Sequence, residues 1–159
     1  MWSYMMACYL MSLLSFILFV TAFFQSFLKF PVLQAGHLTM MVLTSIVYFF
    51  TETLVIFFFV GSGMGIKEAV IDRQLDPEFR KRSIAIKRKV FPPLLLNMLF
   101  MMVLFILVGA VDTRRFPVWA YILIFLGCLL HFVKSKGIQH RNIRETTDLM
   151  LEMSKVKEG

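Results

Sequence analysis

Long apolar segments alternate with polar ones along this chain of 159 residues. Four segments, about 4–28, 38–60, 92–111 and 117–133, are almost free of charged side chains. Each has about the length that an α-helix needs to cross the hydrocarbon core of a membrane, roughly 20 residues. Because a bilayer offers no water to backbone amides and carbonyls, apolar segments of this length are expected to be helical. The pattern predicts an all-α, polytopic membrane protein in which residues 1–159 form a single four-helix transmembrane bundle.

The ends of two segments carry local signals. No charged side chain precedes Lys29, so the first segment lacks the basic start of a secretory signal and is expected to stay in the protein as a helix. The third segment begins with Pro92 and Pro93, whose missing amide hydrogens suit the first turn of a helix. We therefore expect the third helix to begin at these prolines.

The composition agrees with a membrane protein. Hydrophobic residues make up 58% of the chain and charged residues only 17%, which is more apolar and less charged than an average soluble domain. Cys8 and Cys128 both lie within apolar segments and have no C-x-x-C spacing, so they are predicted to be small buried residues.

Basic residues are concentrated in two places. Eight lie between positions 67 and 89 and six follow position 133, whereas the other connections hold only Lys29, Arg114 and Arg115. Loops rich in lysine and arginine are retained on the cytoplasmic side. We therefore expect both termini, the loop 67–91 and the tail 134–159 to be cytoplasmic, in a bacterial inner membrane. Nucleic-acid binding is not expected, because the net charge of +7 is accompanied by no groove-reading motif.

Both cytoplasmic segments are predicted to form amphipathic helices. In the loop, Asp76 is a candidate cap for a helix that begins at Pro77. Its cationic side chains are candidate contacts for anionic lipids of the inner leaflet, namely Arg80, Lys81, Lys87 and Arg88. The simpler alternative is that this segment only extends the third helix. The apolar side of the tail could rest on the membrane or meet a partner chain; it is formed by Ile143, Met150, Met153 and Val156.

One carboxylate, Glu52, lies within the second apolar segment. It is eight positions before Val60, which places it roughly 12 Å from the predicted inner end of the helix. The other three helices offer polar side chains at a comparable depth, and Tyr48 lies one turn before Glu52. We expect a buried polar cluster of these residues: Glu52, Ser12, Ser15, Tyr48, Asn97 and His131.

Several roles are open for this cluster. A protonated Glu52 could donate a hydrogen bond to Asn97 or a serine and hold helices together, as polar residues often do in membrane bundles. Alternatively, a carboxyl group near a histidine could take up and release a proton, as a proton-coupled transporter requires. Contact with a cofactor or a substrate is the third role that the residue types allow.

Gly61 and Gly65 form a G-x-x-x-G step at the inner end of the second segment. Small residues at this spacing let another helix approach closely, so both glycines are predicted to serve helix packing. A phosphate-binding loop with Lys67 as its cation is the alternative. Such a loop needs a preceding strand and a G-K-[ST] sequence, and this chain has neither.

No cofactor is predicted. His37 and His131 are expected near opposite ends of helices that run in the same direction, so the two cannot ligate one heme. His140 is expected beyond the membrane, which leaves a single His131 ligand as the remaining way to hold heme. The cysteines and histidines show no spacing typical of a metal site.

The sequence therefore predicts no enzyme, because it contains no nucleophile–base pair and no nucleotide-binding motif. We expect a small inner-membrane protein with a non-catalytic assembly or support role, as a homo-oligomer or as a subunit of a larger membrane complex. The alternative is a small proton-coupled transporter or channel centred on Glu52. The two hypotheses differ in whether Glu52 faces a hydrated cavity.

Overall fold

The computed structural model describes residues 2–28, 30–32 and 34–156. It contains four long helices: α1 (Trp2–Leu28), α2 (His37–Asp72), α3 (Glu78–Asp112) and α4 (Val118–Lys155). All four are long and apolar enough to cross a membrane. This confirms the predicted all-α class and the four apolar helices of a multi-pass membrane protein. Two of the basic residues counted above, Lys29 and Lys157, lie outside the described residues.

The helices pack in sequence order. α1 packs against α2, α2 against α3, and α3 against α4, while α1 and α4 contact each other over a shorter stretch. Of the helix pairs that touch, α2 and α4 do so over the shortest stretch, because they lie diagonally across the bundle. Short connections between antiparallel neighbours are typical of up-and-down four-helix bundles.

Three of the helices are longer than a membrane requires. α2, α3 and α4 contain 36, 35 and 38 residues, which corresponds to roughly 50–57 Å against a hydrocarbon core of roughly 30 Å. Most of the segment 67–91 is helical, with a turn at 73–77, and the tail continues α4 as far as Lys155. Residues 61–72, 78–91 and 134–155 continue α2, α3 and α4 beyond their apolar segments and carry most of the charged side chains. We call these three ranges the charged extension.

The expectation that the third helix begins at Pro92 and Pro93 is wrong. α3 begins at Glu78, whose amide donates to the Asp76 carboxylate at 2.8 Å, and it continues through both prolines. Each proline removes one intrahelical hydrogen bond. The side chains of Val90 and Leu94, on either side of the pair, are fully buried. Packing of this face therefore outweighs the two missing hydrogen bonds.

The buried face of α4 has a regular spacing that continues past the apolar segment. Buried positions recur alternately every four and three residues, the spacing of left-handed helix bundles. They are Tyr121, Phe125, Cys128, Phe132, Ser135, Gln139, Asn142, Thr146, Leu149 and Met153. This seam is apolar at both ends and polar between Ser135 and Thr146.

Two apolar cores fill the bundle. The core nearer the turn between α3 and α4, which we call the outer core, includes Phe19, Phe125 and Phe132. The core on the opposite side of the bundle's polar residues, which we call the inner core, includes Phe59 and Leu94. Cys128 belongs to the outer core and Cys8 to the inner core, and both are buried free thiols, as the sequence predicts. Polar side chains lie between the two cores, and these form the candidate site described below.

The glycines of the G-x-x-x-G step do not pack against another helix of this chain. Gly61 and Gly65 are exposed, and a Cβ built on either would meet no described atom within 4 Å. The close approach is at Gly63, where the Lys87 ammonium covers the backbone and a Cβ would lie 3.3 Å from Ser83 Oγ. Within the described chain the close helix contact is at Gly63, and packing of another helix on Gly61 and Gly65 stays a prediction.

Alanine substitutions should distinguish these glycines. Gly61→Ala is expected to raise the free energy of unfolding by about 0.5–1 kcal/mol, because alanine favours a helix interior. Gly63→Ala should raise the free energy of unfolding by less, because the Lys87 side chain must move to make room for the new methyl group. In a chain that also carries Lys87→Ala, Gly63→Ala should stabilise as much as Gly61→Ala does. Thermal unfolding in detergent, followed by circular dichroism, measures the differences. The expectation applies to the monomeric chain, and a loss of stability in Gly61→Ala of the monomer would contradict it.

Candidate functional site

A layer of polar side chains from all four helices separates the two apolar cores. We call it the polar layer and define it by Ser12, Ser15, Thr51, Glu52, Asn97, His131, Ser135, Lys136 and Gln139. The layer contains every member of the predicted cluster except Tyr48, which belongs to the outer apolar core one turn away. The hydrogen bonds within the layer divide its residues into separate groups.

The central group is built around Glu52, whose side chain is 0% exposed. Its Oε1 atom lies 3.0 Å from the Lys136 ammonium. This contact is an ion pair whose angle falls outside hydrogen-bond geometry, so Oε1 accepts no hydrogen bond from the described residues. The other carboxylate oxygen, Oε2, accepts a hydrogen bond of 2.8 Å from the amide of Gln139. Both carboxylate oxygens therefore have partners on α4.

Lys136 is held by acceptors from three helices. Besides Glu52, its ammonium donates to Gln139 Oε1 at 2.9 Å and more weakly to Ser12 Oγ at 3.4 Å. It also lies 5.3 Å from the centre of the Phe132 ring, one turn earlier on α4. The ammonium therefore donates two of its three hydrogens within the protein, and the Glu52 carboxylate balances its charge.

This arrangement joins the two helices that lie diagonally across the bundle. Removing one charge from water costs several kcal/mol, and an opposite charge offsets this cost only when further hydrogen bonds satisfy the pair. Gln139 supplies these bonds, because its amide group donates to Glu52 and its carbonyl accepts from Lys136. Glutamate and lysine are also long enough to meet in the middle of the bundle.

The other predicted residues form separate contacts. The Asn97 side-chain oxygen is hydrogen-bonded to Nδ1 of His131. The hydroxyl groups of Ser15 and Thr51 are hydrogen-bonded to each other at 2.7 Å. The buried Tyr48 ring packs against Phe132, with centroids 5.4 Å apart. Within the described part of the chain, Ser15, Asn97 and His131 donate no hydrogen bond to Glu52. The structure thus brings the predicted residues to one depth but pairs Glu52 with Lys136 and Gln139.

Neither Lys136 nor Gln139 was among the predicted site residues. Both follow Val133, the end of the fourth apolar segment, and were assigned to a cytoplasmic tail. The signal that could have found them is the seam of α4. The buried positions of α4 alternate by three and four residues, and this spacing, continued from Phe132, predicts that Ser135 and Gln139 are buried. Lys136 lies one turn after Phe132.

The predicted lipid-contact residues of the loop are not equivalent. Arg80 and Arg88 are exposed, and Lys81 lies 3.6 Å from the Glu78 carboxylate. Lys87 is half-buried, because its ammonium lies over Gly63 of α2. The charge of Lys87 thus lies against a neighbouring helix, whereas Arg80 and Arg88 are exposed, and lipid contact of the four residues stays a prediction.

Each histidine is bonded to another side chain through a ring nitrogen. His37 lies 3.0 Å from the Tyr121 hydroxyl and His140 lies 2.9 Å from the Tyr9 hydroxyl. His131 is bonded to Asn97 as described above. Among the described residues, no group of three or more histidine, cysteine, aspartate or glutamate side chains is placed to hold a metal ion.

Comparison with known proteins identifies no relative: neither a protein-family model nor a curated protein or solved structure matches this chain. The function is therefore argued from the ion pair, the charged extension and the exposed surfaces of the helices.

The ion pair should be strongly coupled. Lys136→Gln alone leaves the Glu52 carboxylate buried without a counter-charge, which should lower the free energy of unfolding by about 3–5 kcal/mol. Glu52→Gln combined with Lys136→Gln should cost far less, because both charges are then absent. The free energies of unfolding of the two single variants and the double variant are measured in mixed detergent micelles and compared with that of the unmodified chain. Lys134→Gln is the matched control, because Lys134 is exposed. Additive losses in the double variant would show that the pair does not act as a unit.

Proposed function

We propose that this chain is a small multi-pass protein of the bacterial inner membrane with a non-catalytic assembly or support role. It acts as a homo-oligomer or as a subunit of a larger membrane complex. The observation that carries this proposal is an exposed apolar face on α2, which continues from the apolar segment into the charged extension. Phe57, Met64 and Ile71 are 61%, 56% and 60% exposed.

These three residues follow one another at intervals of seven, so they lie on one side of α2. Phe57 lies within the apolar segment, where lipid can cover it. Met64 and Ile71 lie beyond it, and they share this side of α2 with the exposed Glu68, which stands between them. Apolar side chains grouped on a surface that lipid does not reach favour a protein partner. This supports a role that depends on assembly.

The orientation rests on charge and helix length. The charged extension carries most of the basic residues, and loops with this bias are retained on the cytoplasmic side. Because α2, α3 and α4 exceed the thickness of a bilayer, all three project on that same side. The proposal therefore places both termini and the charged extension in the cytoplasm, with Arg80 and Arg88 near anionic headgroups.

The contacts of Glu52 support a packing role over proton coupling. A carboxylate that takes up a proton during transport needs a route to water at some stage of the cycle. Glu52 is fully buried, and both of its oxygens face groups of α4. A proton-coupled carrier centred on Glu52 remains the alternative function, and it would require this ion pair to open.

The assembly should depend on the exposed face of α2. We expect the native complex, extracted in mild detergent, to contain two or more copies or a stoichiometric second protein. Ile71→Lys should release the chain from that complex, because the substitution places a charge in the apolar interface. Native mass and subunit content provide the measurement. Ile84→Lys, at a residue 42% exposed on α3 of the same extension, is the matched control. A monomer without any co-purifying protein would contradict the proposal.

The orientation can be tested by fusions. A green fluorescent protein joined after residue 159 should fluoresce and an alkaline phosphatase there should be inactive, because the C-terminus is placed in the cytoplasm. The opposite results are expected for fusions in the turn between α3 and α4, after Arg115. An active C-terminal phosphatase would reverse the proposed orientation.

A further inference from the structure

A pocket lies at the end of the bundle opposite the charged extension, and we call it the end pocket. It has a volume of about 440 Å³, which is within the usual range of ligand pockets. Its walls come from the end of α1, the connection between α1 and α2, and the turn between α3 and α4. The apolar rim includes Phe30 and Val118, which are 39% and 41% exposed. Both stand at the ends of apolar segments, so the end pocket opens at the level where lipid headgroups meet the protein.

Gln25 lines the end pocket and carries a buried acceptor without a partner. This residue is 1% exposed, and its amide nitrogen donates to the backbone carbonyls of Phe30 at 3.0 Å and Ala35 at 2.8 Å. Because only the amino group of the amide can donate to two carbonyls, these contacts assign the position of Oε1. Oε1 accepts no hydrogen bond from the described residues. A buried acceptor without a donor is destabilising, so this atom is suited to a donor that a ligand supplies.

His37 adds a second polar atom without a partner. Its Nε2 atom lies 3.0 Å from the Tyr121 hydroxyl, whereas the buried Nδ1 atom has no hydrogen-bond partner within the described part of the chain. Nδ1 donates or accepts according to the tautomer of the ring, so it can meet either kind of ligand group. Gly36, the N-cap of α2, also lines the end pocket, and no side chain caps this helix end. The first-turn amides of α2 therefore favour an anionic group.

Two opposite charges line the end pocket without pairing. Asp112 ends α3 and Arg114 lies in the turn that follows, and both belong to the walls of the pocket. Neither forms an ion pair, with the other or with a further side chain, among the described residues. A ligand with a single charge would leave one of the two without a counter-charge. A carboxylate and a guanidinium that do not pair with each other instead complement a ligand that carries both an ammonium and an anionic group.

We infer that the end pocket binds a zwitterion in which an ammonium lies near a phosphate, the chemistry of a phosphatidylethanolamine headgroup. The ammonium donates to Gln25 Oε1 and is balanced by Asp112, and the phosphate lies beside Arg114 and the first turn of α2. Free phosphoethanolamine carries the same two groups, and the test below separates these two sources. The inference rests on the membrane location in the proposed function but not on the assembly role.

The test uses the purified full-length chain and native mass spectrometry. The detergent-solubilised protein is titrated with phosphatidylethanolamine, phosphatidylcholine or phosphatidylglycerol of identical chains, and bound lipids are counted. The unmodified chain should retain phosphatidylethanolamine in preference, because choline has no N–H to donate and glycerol has no positive charge. Free phosphoethanolamine is titrated in parallel. Tighter binding of the lipid identifies the bilayer as the source, and tighter binding of free phosphoethanolamine identifies a solute.

Substitutions of the two charges should act differently. Asp112→Asn should weaken phosphatidylethanolamine about fivefold, the equivalent of one exposed ion pair, and should not weaken phosphatidylglycerol. Arg114→Asn should weaken all three lipids, because each contains a phosphate. Asparagine suits this position, since Arg114 has a φ of 57° and asparagine readily adopts the left-handed region. Asp72→Asn and Arg115→Asn, at exposed residues outside the end pocket, are the matched controls.

A larger side chain tests the pocket itself. Gly36→Phe is compatible with the backbone, because Gly36 has a φ of −73° and a Cβ there would meet no described atom within 4 Å. This variant should fill the end pocket and remove the ligand whatever its headgroup, whereas Gly127→Phe, at an exposed glycine of α4, should not. Val118→Trp, at the rim, replaces Gly36→Phe if that variant does not fold.

Four results would overturn the inference: binding of neither phosphatidylethanolamine nor free phosphoethanolamine, equal retention of the three lipids, equal effects of Asp112→Asn and Asp72→Asn, or retention in both blocked variants. Alkaline carbonate extraction of membranes tests the membrane location separately. A chain that resists extraction but binds no zwitterion in the end pocket would refute this inference alone.

Discussion

The burial of Glu52 is the constraint on which the rest of the structure depends. A lone carboxylate between two apolar cores would cost several kcal/mol, so the fold must bring a cation to it. That cation comes from Lys136, on the helix diagonally opposite, and Gln139 completes the hydrogen bonds. The pair can form only if α4 stays helical beyond its apolar segment and keeps its register with α2. The buried charge of Glu52 on α2 thus requires α4 to remain helical at least as far as Gln139 and to direct Lys136 and Gln139 toward α2.

The polar layer also gives the bundle a register that apolar packing alone would specify weakly. Leucine, phenylalanine and methionine side chains can exchange places across a helix interface at modest cost. A shift of α4 by one turn would place Lys136 in an apolar core, and it would leave Glu52 without a partner. Similar polar positions fix register in coiled coils, at some cost in stability. Here the layer does so for four helices at once, since each contributes at least one of its members.

The helices and the depth of the site could be predicted from the sequence, but the pairing could not. Four apolar segments are enough to predict four helices, and the isolation of Glu52 is enough to mark it. The partner was missed because Lys136 follows the last apolar residue, where charge is usually assigned to a tail. Tertiary packing also overrode a local rule at Pro92, because the buried face of α3 continues through it. The spacing of Gly61 and Gly65 does not reveal that Gly63, between them, is the glycine that a side chain of α3 covers, because that contact depends on where α3 places Lys87.

The helix bundle continues beyond the apolar segments. Exposed apolar residues therefore need different explanations in the two parts of the bundle. Beside the apolar segments, a side chain such as Ile106, which is 68% exposed, faces lipid and needs no other explanation. On the charged extension, the same exposure places apolar surface against water. Ile71 is 60% exposed there, and the buried seam of the same extension includes the polar residues Gln139 and Asn142. The rest of the extension keeps the usual pattern of a soluble helical bundle, with Ile66, Ile86 and Leu149 buried and most charged side chains exposed. The two departures have separate reasons, because the buried polar residues surround the ion pair and Ile71 belongs to the face for which we propose a partner.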